Sequence, residues 1–218
     1  MKPHTRWLAP TFLVLASLPR TASTQESIHP DLTPQAVRVH NRAATTLGQG
    51  ERVGLHLDGR PGDGVAWIPD LVLGDGIIDV EIRGRDRPNQ SFVGVAFRGL
   101  DDDTYEGVYL RPFNFRSEDP ARRAHSVQYI SQPDHPWNRL REESPGRYEA
   151  ALNPAPDPEG WVHLRVALEG RRVTVYVADA DAPVLVVDAL GGRAEGALGL
   201  WVGNNAEGDF AELTFTPR

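Results

Sequence analysis

Cysteine is absent from this 218-residue chain, and methionine occurs once, at position 1. Without cysteine no disulfide can staple the fold, and no lipidated cysteine can anchor it. The absence suits an oxidising compartment, where a stray thiol would mispair. A lysine/arginine stripe is also missing: 23 basic residues stand against 30 acidic ones, a net charge of −7. Nucleic acid and anionic membranes are therefore excluded as partners. Gly-x-Ser-x-Gly, His-Glu-x-x-His, the P-loop and the dinucleotide fingerprint are all lacking, so serine, zinc and nucleotide chemistry of those kinds has no support. No internal repeat stands out. Helix-length runs with 3.6-residue periodicity are absent too, which excludes a helical bundle.

What is plentiful is Gly (21) and Pro (18), which favours many short elements joined by turns. The start, "MKPHTRWLAPTFLVLASLPRTASTQ", has Lys2 and Arg6 before a short apolar run from Trp7 to Leu18, then small residues at Thr21 to Ser23. That is the layout of a secretory signal peptide, expected over 1–24, and the run is short for a membrane span. Cleavage there removes Lys2, Arg6 and Arg20 and no acid, leaving the chain more acidic still. Residues 25–50 read as an N-terminal extension with a candidate edge strand at Val37–His40. From 51 to 218 short apolar runs recur every 8 to 15 residues, separated by Gly, Pro and Asp clusters. They predict one all-β sandwich or barrel domain. One short helix is expected near Asn138 to Glu143.

Alternation assigns faces, because successive side chains on a strand point to opposite sides. Ile78, Val80 and Ile82 share one face in "IIDVEIRG". In "GALGLWVG", Leu198, Leu200 and Val202 turn inward and Trp201 outward. In "YEGVYLRPF", Val108 and Leu110 turn inward, leaving Tyr105, Tyr109, Arg111 and Phe113 outside. A face carrying flat aromatics, glycines and planar hydrogen-bonding groups suits a sugar: pyranose C–H faces stack on rings while Arg, Asn and Gln meet the hydroxyls. The alternative is a second small core covered by the long Pro-rich segment 132–160, which brings Trp137 and Tyr148. The two combine if that segment walls a pocket. Arg111 is expected to be removable from this face with little loss of stability.

Glycosidase chemistry wants two carboxylates astride the scissile bond. Asp79, Glu81 and Glu106 are the outward candidates, and an ordinary solvated strand face explains Asp79 and Glu81 equally well. Three acidic turns, "DGRPGDG", "GLDDDT" and "NNAEGD", offer the oxygen ligands of Ca2+ or another divalent metal, though Asp and Gly are also the commonest turn residues. No metal ligand is assigned. His125 opens a predicted strand, where a lone histidine is more often structural than catalytic.

The segments "FVGVAFRGLDDDTYEGVYLRPFNF", "HSVQYIS", "PDPEGWVHLRVALEGRRVTVYV" and "GALGLWVGNNAEGDFAELTF" resemble the concanavalin A-like lectin/glucanase superfamily. Within it they look most similar to 3-keto-disaccharide hydrolase (DUF1080-type) domains, over about residues 51–217. The resemblance implies a jelly-roll sandwich of two antiparallel sheets with a sugar-facing side, and elimination and hydration across C1–C2 of 3-keto-glycosides. A C3 ketone acidifies the C2 proton, so a base can remove it and expel the C1 substituent. On that resemblance His125 or Glu106 is the base and Arg111 the enolate stabiliser. The family commonly shows Asn-Ser-Gly before a strand ending in Arg, here "NQSFVGVAFR" with Arg98. Its Gln-Ile-x-Asp segment becomes "VQYIS" with Gln128, and the acidic position is missing.

The sequence thus predicts a secreted or periplasmic all-β sandwich that binds a carbohydrate or glycoside, with no nucleic-acid partner and no membrane after signal cleavage. Catalytic candidates are His125, Glu106 and Arg111. Substrate-binding candidates are Arg98, Tyr105, Tyr109, Phe113, Asn114, Gln128, Trp137 and Trp201. Three roles stay open: an enzyme of the keto-glycoside type, a non-catalytic glycan-binding module, and a structural or adhesion domain contacting protein.

Overall fold

The computed structural model describes residues 26–47 and 52–218, so the leader expected over 1–24 lies outside the described residues. In chain order the strands are β1 (Arg38–His40), β2 (Ala44–Thr46), β3 (Gly54–Leu57), β4 (Gly64–Leu73), β5 (Gly76–Arg83), β6 (Val93–Gly99) and β7 (Glu106–Leu110). After helix α1 (Pro120–Arg123) come β8 (Val127–Ser131), helix α2 (Trp137–Glu143) and β9 (Glu149–Ala150). The chain finishes with β10 (Val162–Glu169), β11 (Arg172–Val177), β12 (Leu185–Asp188), β13 (Gly196–Val202) and β14 (Gly208–Pro217).

These strands form two seven-stranded antiparallel sheets. One runs β1-β4-β13-β6-β7-β8-β9 and the other β12-β11-β10-β5-β14-β3-β2. The expected edge strand is β1, on the margin of the first sheet, and β2 edges the second. The segment before residue 51 therefore supplies one edge to each sheet. Ile28 also bridges to Phe215 in the last strand.

The core fills the space between the sheets, as alternation requires. Along β5, Ile78, Val80 and Ile82 are buried while Asp79, Glu81 and Arg83 are half-buried on the far side. Leu198, Leu200 and Val202 of β13 face the same core. Each such aliphatic side chain stabilises the fold by about 1.5–3 kcal/mol.

The first sheet is buried on both faces. Every residue of β6, β7 and β8 is buried. Its outer face carries a second apolar cluster of Val65, Trp67, Ala96, Tyr105, Tyr109, Ile130 and Trp201. Phe92 and Ala197 pack against it, and Trp137 from the 132–160 segment reaches over to Arg111 beside it. Pro112 ends β7, since proline cannot donate to the ladder, and starts a 3-10 turn over Pro112–Asn114. α1 begins with Asp119 accepting from the Ala121 amide and Pro120 in the first turn. α2 buries Leu140 against the edge beyond β8, where β9 becomes the outermost strand.

Candidate functional site

The outer face of the first sheet is both covered and hollow. A cavity of about 450 Å3 opens on it, lined by residues from several separate segments. Tyr109, Ile130, Trp201 and Gly203 make the floor; Phe92, Phe113 and Asn114 make one wall; Arg122 of α1 and His125 of the α1–β8 turn stand beside them. Pro136, Trp137 and Arg141 from α2 and its approach form the opposite lip, and Asp63 and Asn204 come from turns at the far end.

The floor depends on register. Gly94 in β6 pairs with Trp201 on one side and with Tyr109 on the other. With no side chain between them, the two rings close to 4.7 Å between centroids. Phe92 adds an edge-on contact to Tyr109 at 6.1 Å and to Phe113 at 5.6 Å. Trp201 donates its indole N–H to the Tyr105 hydroxyl at 2.9 Å, which secures the floor from beneath. Tyr105, Tyr109 and Trp201 are buried, so they are not the solvent-facing aromatics that alternation alone suggests. Trp137 is the exposed aromatic of the set, 46% accessible at the lip.

Arg111 sits at the base of this cavity, only 4% exposed. Its guanidinium donates to the His125 carbonyl (3.0 Å), the Tyr109 hydroxyl (2.7 Å) and Gln128 Oε1 (3.2 Å). It lies over the Tyr109 ring at 4.9 Å and beside Trp137 at 5.8 Å. Burial pulls its pKa below the ordinary value and pushes the Tyr109 phenol up to about 12, so at neutral pH the phenol is protonated and the arginine a cation. A side chain holding three groups together contributes to the structure. The expectation that Arg111 could be removed at little cost is corrected.

His125 faces the cavity with Nδ1 2.7 Å from Glu149 Oε2. Glu149 itself takes Arg141 Nη2 at 2.8 Å. Burial lowers the His125 pKa despite that carboxylate, which favours a neutral imidazole. Asn114 donates to the His125 carbonyl at 3.2 Å, so the 3-10 turn and the start of β8 are tied to one another.

Two sequence candidates lie elsewhere. Glu106 shares the inward face of β7 with Val108, not the outward face, and it is fully buried. Tyr129 donates to it at 2.5 Å, and the Tyr129 oxygen accepts from the Leu190 amide at 2.8 Å. Burial raises the Glu106 carboxyl. Arg98 lies 3.8 Å from Glu106 and donates to the Gly170 carbonyl at 2.6 Å. By alternation Arg98 follows inward Phe97 and should point out. It adopts φ +50°, and the β13–β6 register shifts beside it, so a bulge turns its side chain into the sandwich. Arg98 and Glu106 thus tie the two sheets together away from the cavity. Gln128 acts through Arg111 and Tyr105 through Trp201; neither lines the cavity.

Asp79 and Glu81 are on the outer face of the second sheet, where His163 and Arg165 engage Asp79. The acidic turns are also committed. Asp58 accepts from the Ala43 amide and Arg60, and Asp102 from Trp67 and Arg38. Asp209 binds His56, Arg83 and Arg85. Among the described residues no group of three or more His, Asp or Glu side chains is placed to hold a metal ion.

Sequence reasoning missed Asp63, Asn89, Phe92, Arg122 and Arg141, which come from turns and two helices with no strand periodicity to give them a face. It also missed Gly94. The signal was there for Gly94: a lone glycine inside an apolar strand marks close approach of something else.

No protein-family model matches the sequence, and no curated protein matches it. Solved structures do. The carbohydrate-binding module CBM66 from Bacillus subtilis is 18% identical with a TM-score of 0.59, over 85% of this chain and 97% of that one. A Bacillus subtilis protein described as having a galectin-like fold is 12% identical, TM-score 0.54, covering 84% and 90%. The VIP36 exoplasmic/lumenal domain in its Ca2+/Man3GlcNAc-bound form is 11% identical, TM-score 0.53, covering 86% and 87%. The chain has their two-sheet antiparallel jelly-roll fold. At these identities the likeness is one of architecture, and function must come from the site.

Proposed function

We propose that the chain is a carbohydrate-binding β-sandwich whose site is the cavity on the outer face of the first sheet. One observation carries this reading: a closed aromatic floor, a half-exposed tryptophan at the lip and a buried arginine meet in a single cavity of about 450 Å3. That volume falls in the range of small-molecule sites, and the mixture of rings with amides and guanidinium groups suits a polyhydroxylated ring. A carbohydrate-binding module and a sugar-bound lumenal domain share the fold, which supports the reading without carrying it. The test is calorimetric titration against a panel of neutral and acidic oligosaccharides. Binding that is lost in Trp137→Ala is the expected result. A folded protein that binds no glycan in the panel overturns it.

A catalytic reading is favoured by one contact, the 2.7 Å approach of Glu149 to His125. A neutral imidazole beside a carboxylate is an apt base, and Arg111 an apt partner for an enolate oxygen. This is the arrangement that the resemblance to 3-keto-disaccharide hydrolase domains calls for, with His125 as base and Glu106 excluded by its position. Incubation with a 3-keto-disaccharide, with and without chelator, tests it. Release of free sugar that disappears in His125→Ala is expected; absence of turnover in a protein that binds glycans leaves a binding module. The leader-like start supports export, and the N-terminal sequence of the mature protein tests it.

A further inference from the structure

The cavity is lopsided in charge. Of the arginines lining it, Arg141 is matched by Glu149 at 2.8 Å. Arg111 and Arg122 have no carboxylate partner among the described residues. Arg111 is the telling one, because it is 4% exposed. Its three hydrogen bonds go to neutral oxygens: a peptide carbonyl, a phenol and an amide. A guanidinium has five N–H donors in a rigid fork, so donors are left over with no protein acceptor among the described residues. A buried cation held only by neutral groups lacks the counter-charge that ordinarily compensates burial. Among the described residues Asp63 is the carboxylate lining the cavity; it is at the other end beside Asn204, and burial raises its pKa. His125, between the two arginines along the wall, already has Glu149 against it.

Building on the carbohydrate reading above, we infer that the cavity takes an acidic sugar, a uronate whose carboxylate lies against Arg111. A carboxylate is planar and matches the fork in a way that a neutral hydroxyl cannot. Arg122, exposed on α1 at the cavity wall, adds a second cation on the same side. The aromatic floor and Trp137 then meet the apolar face of the ring, while Asp63 at the far end accepts from hydroxyls.

The experiment is calorimetric titration with three-residue oligomers of glucuronate, galacturonate, mannuronate and guluronate. Each is run beside its fully methyl-esterified twin, with sulfated and neutral oligosaccharides as further arms. A uronate that binds at least tenfold tighter than its ester is the expected result. Arg122→Gln should weaken the acid several-fold and leave the ester unchanged. Arg111→Gln should abolish the preference; should it fail to fold by thermal melting, Arg122→Gln carries the test. Equal affinity for acid and ester, or binding confined to neutral or sulfated sugars, overturns the acidic assignment while leaving a sugar site standing. A folded protein that binds nothing in any arm overturns both.

Discussion

Tyr109 and Trp201 lie on strands that do not pair with each other, yet their rings meet at 4.7 Å and 34° across the strand between them. The residue in between, Gly94, is opposite both in register. Close contact of two large rings over a glycine turns an ordinary sheet face into the floor of a cavity.

Gly94→Ala should therefore destabilise the fold. A Cβ there would land on the Val108 carbonyl and lie 2.5 Å from the Tyr109 Cα, which is backbone and cannot swing away. Overpacking of this kind costs about 1–3 kcal/mol. Chemical denaturation measures it, and an unchanged midpoint would show that the strands spread freely.

Trp137→Ala separates ligand from fold. The ring is half-exposed at the lip, stacked by Arg141 at 4.9 Å. Its loss should weaken sugar binding tenfold or more while changing stability by only about 0.5 kcal/mol, as for other surface positions. A melting temperature that drops by many degrees would make it a packing residue of α2.

Glu106→Ala should do the reverse. Breaking a buried pair leaves Arg98 with only the half-exposed Asp75, 3.6 Å away, and Tyr129 without its acceptor, a loss of roughly 3 kcal/mol. Sugar affinity of the folded fraction should be unchanged, because Glu106 is on the inner face. Loss of affinity with stability intact would return Glu106 to the site.

Asp209 sets an acid limit. His56 and two arginines hold its carboxyl down to about 2. A depressed carboxylate contributes stability that is present above the ordinary range near 4 and is lost as pH falls toward 2. His56 is raised, chiefly by its hydrogen bond with Asp209, so its share is present below about 6.5 and fades as pH climbs through its folded value. Melts from pH 2 to pH 8 should show Asp209→Asn well below the parent at pH 5 and equal to it near pH 2. A constant gap across that range would refute the linkage.

Alternation along the chain already determined the sandwich and its core. Ile78, Val80 and Ile82, or Leu198, Leu200 and Val202, can bury one face only if the strand is extended and paired, so periodicity fixes inside from outside. It also put Tyr109, Arg111 and Trp201 on one side together. It went astray at Arg98, where a bulge resets the alternation, and at Glu106, whose own parity with Val108 pointed inward. What only the tertiary structure decided is that the outer face is covered and hollow. Arg122, His125, Trp137 and Asp63 arrive there from turns and two short helices, whose directions are set by packing against distant strands. That no carboxylate among the described residues forms an ion pair with Arg111 is likewise a fact of three-dimensional neighbours. Local sequence carries the period of a strand, but the partners of a buried charge come from wherever the chain returns.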